Sequence, residues 1–181
     1  MIRLVFFSIS LMVTMPAFSA KQFSLENTVF EKVGKEQGVD SLLLYSIAIN
    51  VSGRYVGKGE NAPSIYAMRS KKGTYFHETK SQAEDSLASL LKETDWVDVG
   101  IMQINVHYHP QSDPLLLFDP YYNITVAAKF LNRTMSTTTD PILGVGRYFG
   151  WNSKDTAIKN GQRVWATYSQ LKKLIFEQGD V

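Results

Sequence analysis

Thirteen residues in the first third of the chain, Leu42 to Arg54 (LLLYSIAINVSGR), restrict the fold more than any other stretch. From Leu42 to Val51 nearly every side chain is apolar, so a helix here has no face suited to water. A helix of that kind belongs in the middle of a domain, with other elements packed around it. Asp40 and Ser41 are good N-caps for it, and Ser52-Gly53 lets the chain turn sharply at its end. At 181 residues the chain can build one such core and is short for two.

The flanking segments read as mostly helical. Phe23, Leu25, Val29, Phe30 and Val33 fall near a 3.6 period, which predicts an amphipathic helix over Ser24–Gln37 ended by Gly38. Tyr55–Gly59 is glycine-rich and reads as a loop. Ser64–Met68 and Thr74–His77 alternate weakly around Ser70-Lys71-Lys72-Gly73, which predicts a small hairpin. Gln82–Lys92 carries a stripe of Ala83, Leu87, Leu90 and Leu91. Asp113-Pro114 and Asp119-Pro120 lead to a helix over Tyr121–Met135, and Pro141 at N1 starts a short one. The last helix, Thr156–Phe176, is expected to bury Ile158, Val164, Trp165, Tyr168, Leu171 and Ile175. The fold class expected is therefore mainly α, of the α+β kind: a single helical domain with one small β-hairpin.

Composition narrows the setting. Arg3, the apolar run Leu4–Met15, Pro16 and the small residues at Ala17-Phe18-Ser19-Ala20 have the layout of a signal peptide over residues 1–20, leaving a mature domain over 21–181. An uncleaved anchor is the alternative, but the apolar run is short for a spanning helix. Nineteen Lys and Arg stand against 17 Asp and Glu, too weak a field to argue for nucleic acid. The absence of cysteine suits an exported protein held by its core, as in a bacterial periplasm. The Asn-x-Ser/Thr triplets at Asn50, Asn123 and Asn132 are treated as chance.

Four landmarks then occur in order. They are SIAINVSGR; Asp98-Val99-Gly100-Ile101-Met102-Gln103-Ile104-Asn105; Phe118-Asp119-Pro120 with Asn123-Ile124 and Ala127-Ala128; and Gly146-Arg147-Tyr148-Phe149-Gly150 with Gln162-Arg163-Val164 and Tyr168 behind it. Together, over roughly Leu25–Leu171, they resemble the lytic transglycosylases with a lysozyme-like (SLT) domain, above all the small ones of type IV pilus and conjugation systems. The resemblance implies a lysozyme-like fold and a monomer in the periplasm, without cofactor or metal. Its substrate would be the glycan strands of peptidoglycan, opened for a pilus or secretion apparatus whose components are possible partners.

The same resemblance implies the chemistry. Glycosidases commonly share the proton work between two carboxylates. Here a single glutamic acid protonates the leaving oxygen and then acts as base, while the muramyl 6-hydroxyl attacks to leave a 1,6-anhydro sugar. That acid falls at position 51, before Ser52-Gly53, and this chain has Val51 there. Valine has no proton to give. Asn160, where a tyrosine is expected, is a second departure. Glu60 and Asp98 are the candidate surrogate acids, with Glu78 behind them; all three read equally as solvated carboxylates or caps. The resemblance makes Ser52, Met102, Gln103, Asn105 and Tyr148 substrate-binding residues. Against this, Ser52 suits a helix cap, and Met102 and Tyr148 suit a core. His107 and His109 have strand spacing for a metal but no evident third ligand. Trp96, Trp151 and Trp165 are candidates for stacking on sugars. Two functions emerge, an enzyme working through a surrogate acid and a pseudoenzyme that binds peptidoglycan without cutting it.

Overall fold

The computed structural model describes residues 23–57 and 60–177. The segment read as a signal peptide lies outside them. Helix α1 (Val29–Gln37) and helix α2 (Ser41–Ser52) open the domain. Asp40 caps α2, its Oδ1 accepting from Leu42 N at 2.7 Å and Leu43 N at 3.2 Å. Leu42, Leu43, Leu44, Ile47 and Ala48 are all buried, so α2 is the central helix its composition requires. Burial of Leu44 and Ile47 alone contributes about 1.5–3 kcal/mol each. The α1 helix starts five residues later than periodicity predicts, because Asn27 is left-handed (φ 59°) and Thr28 caps Glu31.

Helix α2 leaves through Gly53, whose backbone is extended rather than left-handed. Glycine is needed there for closeness: a Cβ would sit 2.3 Å from Ile49 O. The glycine-rich segment beyond α2, expected to be a loop, is instead paired. Strand β1 (Gly53–Gly57) runs antiparallel to β2 (Glu60–Pro63), with Tyr55 opposite Asn61. Tyr55 and Val56 are both more than half exposed, so this hairpin leaves no buried face to impose a period of two.

The expected hairpin is β3 (Ala67–Ser70) and β4 (Gly73–Phe76), joined through Lys71-Lys72. It is one edge of a larger sheet. Strand β5 (Asp98–Val99) pairs with β3, and β6 (Ile104–Asn105) pairs with β5, in the order β4-β3-β5-β6. Between β4 and β5 lies α3 (Lys80–Leu90), started two residues early by a capping box of Thr79 and Gln82.

A short 3-10 helix (Pro114–Phe118) leads to α4 (Pro120–Met135) and α5 (Pro141–Arg147), capped by Asp119 and Asp140 with proline at the first position of each. The long α6 (Lys154–Glu177) packs on α5 and α2. Its approach to α5 is set by glycines: a Cβ at Gly146 would lie 1.8 Å from Ala157 O, and one at Gly161 2.0 Å from Ile142 O. Accordingly, the buried face of α6 is Ala157, Gly161 and Val164. Trp165 and Tyr168 are half-buried, and Ile175, expected inside, is exposed because α6 outruns the elements it packs on. Tyr168 donates to Asp40 Oδ2 at 2.7 Å, tying α6 to the cap of α2. The described residues thus form a mainly helical α+β fold with six α-helices and small antiparallel sheets. No helix among them is long and apolar enough to cross a membrane.

Candidate functional site

The end of α2 and the β5–β6 connection meet, and buried side chains brace the connection, Asn123 with the most bonds. Asn123, on α4 and fully buried, donates through Nδ2 to Val99 O (2.9 Å) and Leu117 O (2.8 Å). Its Oδ1 accepts from Met102 N at 2.9 Å. Gly100 is left-handed (φ 80°), and a Cβ there would stand 2.3 Å from Leu117 O, so no other residue fits this turn. The turn leaves Gln103 left-handed as well (φ 51°), with Nε2 donating to Ala67 O at 3.1 Å and Gly100 O at 2.9 Å. Both of its amide hydrogens are spent on the backbone.

This brace decides where the expected binding residues lie. Ser52 is buried and donates to Ile101 O at 2.7 Å, locking the end of α2 to the turn. Met102 is fully buried in the core, so its side chain is not on a surface that a ligand meets. Its carbonyl accepts from Tyr148 Oη at 2.8 Å. Ser52 and Met102 therefore act as framework. Val51, Gln103, Asn105 and Tyr148, by contrast, line one cavity of about 480 Å³. Its walls add Phe130, Phe149 and Trp151, and the exposed Tyr108 stands at its margin. Tyr148 packs on Phe130 with ring centroids 5.5 Å apart. Burial, and after it the charge of Asp98, pushes the Tyr148 hydroxyl far up, so it is a neutral donor.

The proposed surrogate acids fare differently. Asp98 lines the cavity but is fully engaged: Oδ2 accepts from Arg69 Nε at 3.0 Å and Oδ1 from Asn105 Nδ2 at 2.7 Å. Glu78 is exposed and bound by Arg54 at 2.8 Å, which holds its carboxyl below the usual value, the reverse of what a general acid needs. Glu60 opens β2 opposite Gly57, and its side chain is outside the described residues. His107 and His109 part company: His107 stacks on Trp96 at 4.2 Å and bonds Asp95, while His109 packs edge-on against Phe130 at 4.5 Å. Trp165 donates to Pro141 O, away from the cavity.

No family model, no curated protein and no solved structure matches the chain.

The cavity holds residues that motif reading passed over, namely Arg69 and Arg133. They come from a strand and a helix far apart in the chain, and no local pattern links them. Chemically the described lining offers aromatic faces, guanidinium donors and amide groups, with its one carboxylate tied in an ion pair. Such a set binds more readily than it transfers protons. Burial, then the charge of Arg133, lowers the pKa of His109. A depressed histidine stays neutral when folded and protonates first when unfolded, so stability is full above about pH 6.5 and falls as pH drops through the folded value. In His109→Phe, which keeps the ring contact, the loss of melting temperature on acidification from about pH 7 to pH 5 is expected to be smaller than in the parent chain.

Proposed function

We propose that this chain is an exported, lysozyme-like protein of the lytic transglycosylase type that holds peptidoglycan strands without cutting them. Its setting would be the periplasm, as a monomer at the site where a pilus or secretion apparatus crosses the wall. The observation that carries this reading is the position of Val51. It lines the same cavity as Gln103 and Tyr148, where the resemblance puts the glutamic acid, and it has no proton to transfer. The aromatic walls of Phe130, Tyr148 and Trp151 suit the apolar faces of sugar rings. The test is to incubate purified protein with peptidoglycan sacculi, then measure both co-sedimentation and soluble products. Binding without 1,6-anhydromuropeptides is the expected result, and absence of binding sinks the reading.

A second reading, an enzyme with a surrogate acid, has one observation in its favour, the place of Asp98 in the cavity wall. It predicts cutting by the unaltered chain that disappears in Asp98→Asn or in Glu60→Gln.

A further inference from the structure

The charge inside the cavity does not match the charge of the chain. Three of the six arginines, Arg69, Arg133 and Arg147, line it, and Asp98 is the one carboxylate among the described lining residues. The whole chain carries only +2, so the excess is local. Asp98 neutralises Arg69 through their 3.0 Å pair. Arg147 is held in place: Nη1 donates to Thr137 O at 3.0 Å and Thr137 Oγ1 at 2.6 Å, and the guanidinium lies 5.1 Å from the Trp151 ring centre. That leaves its Nε and Nη2 hydrogens for a ligand. Arg133 is exposed, and its side chain has no hydrogen-bond or ion-pair partner among the described residues. The neighbouring His109 is held below the usual histidine value by burial and then by the charge of Arg133.

A neutral sugar needs ring faces and hydrogen-bond partners. It makes no use of two guanidinium groups that line the cavity without a carboxylate partner, because it brings no charge to set against theirs. A carboxylate does, with short charge-assisted bonds and, for arginine, paired geometry. We infer that the cavity selects glycan strands by their carboxylates, through Arg133 and Arg147, and discriminates against neutral strands of the same length. This rests on the glycan-binding reading and specifies its substrate. The carboxylates of a peptidoglycan strand are those of the lactyl ether, when it is free, or of the attached stem peptide.

Calorimetric titration with four probes decides the matter: a neutral N-acetylglucosamine oligomer, an alternating strand of equal length with free lactyl groups, the same strand carrying stem peptides, and the free stem peptide. The unaltered chain is expected to bind one or both charged strands about tenfold or more tightly than the neutral oligomer. Arg133→Gln is expected to remove most of that difference, weakening the charged strands far more than the neutral oligomer. Arg133→Lys retains part of it, and Lys92→Gln, an exposed change outside the cavity, alters nothing. Which charged strand responds identifies the carboxylate. Equal affinity for neutral and charged strands, or an equal loss on all of them in Arg133→Gln, overturns the inference while leaving glycan binding in place. If only the free peptide binds, and does so through Arg133, the anion site stands and the glycan reading falls. Absence of binding to all four overturns both.

Discussion

Val51→Glu is expected to convert a protein that leaves peptidoglycan intact into one that releases 1,6-anhydromuropeptides. A positioned general acid is worth about 10²–10⁴-fold, more where one group makes both proton transfers. Position 51 is next to last in α2, at the negative end of the helix dipole, where an ionised carboxylate is disfavoured. The nearby wall is apolar or aromatic, with Ile104, Tyr148 and Phe149 lining the same cavity. Both effects raise the pKa of an introduced carboxyl toward the protonated state in which it can donate, while Arg133 and Arg147 of the same cavity pull it the other way. Cleavage by the variant should therefore be strongest below that pKa and decline as pH rises through it. The fold should bear the change, since Val51 is half-buried and an average substitution costs about 1 kcal/mol. Val51→Gln, of like shape but without an acidic proton, is the control and should yield no product. Chromatography of muropeptides with mass detection reads the outcome. If Val51→Glu binds sacculi normally yet releases no anhydro product, the cavity is not arranged around that position and the resemblance misleads.

Much of the frame was legible because burial leaves a pattern. The nearly continuous apolar run over Leu42–Val51 could only be a central helix; Pro141 marked the start of α5 to the residue, and Asp119-Pro120 that of α4 to within one. Where an element buries little, the pattern fails. The β1–β2 hairpin has exposed side chains and no alternation, so it read as a loop. The end of α6 was misassigned for the opposite reason: Ile175 has the right spacing for a buried stripe, but nothing in the fold reaches far enough to cover it. The cavity was half legible. Val51, Gln103, Asn105 and Tyr148 lie in short motifs and do line it, while Ser52 and Met102, from the same motifs, face inward to hold the turn. A motif marks a local backbone shape, and side chains on both sides of that shape are part of it. Arg69 and Arg133 could not be found this way, because each stands alone in its segment and meets the others only through the tertiary fold.

Asn123→Ala should be the most damaging single change at the cavity, although Asn123 touches no ligand. Three buried backbone groups depend on one amide: Val99 O, Leu117 O and Met102 N. An orphaned buried group costs about 1–3 kcal/mol, and the second lone pairs of the two carbonyls keep the total below a simple sum, so about 3–5 kcal/mol is expected. At about 2–4 °C per kcal/mol for a domain of this size, melting should fall by about 10 °C or more. Asn123→Asp should rescue little: it preserves the shape and the acceptor for Met102 N but aims its other carboxylate oxygen at two carbonyl oxygens. Asn50→Ala is the matched comparison. It removes amide bonds to Ser46 O and Thr167 Oγ1 in a half-buried place and should cost about 1 kcal/mol. The consequence for function comes from the geometry. Gly100 and Gln103 hold left-handed backbone that the Asn123 bonds stabilise, so loosening them frees Gln103 to leave the cavity wall. Binding to sacculi should therefore weaken in Asn123→Ala at temperatures where circular dichroism still reports a folded helical domain. A melting temperature within a degree or two of the parent chain would show that the turn is held by something other than this side chain.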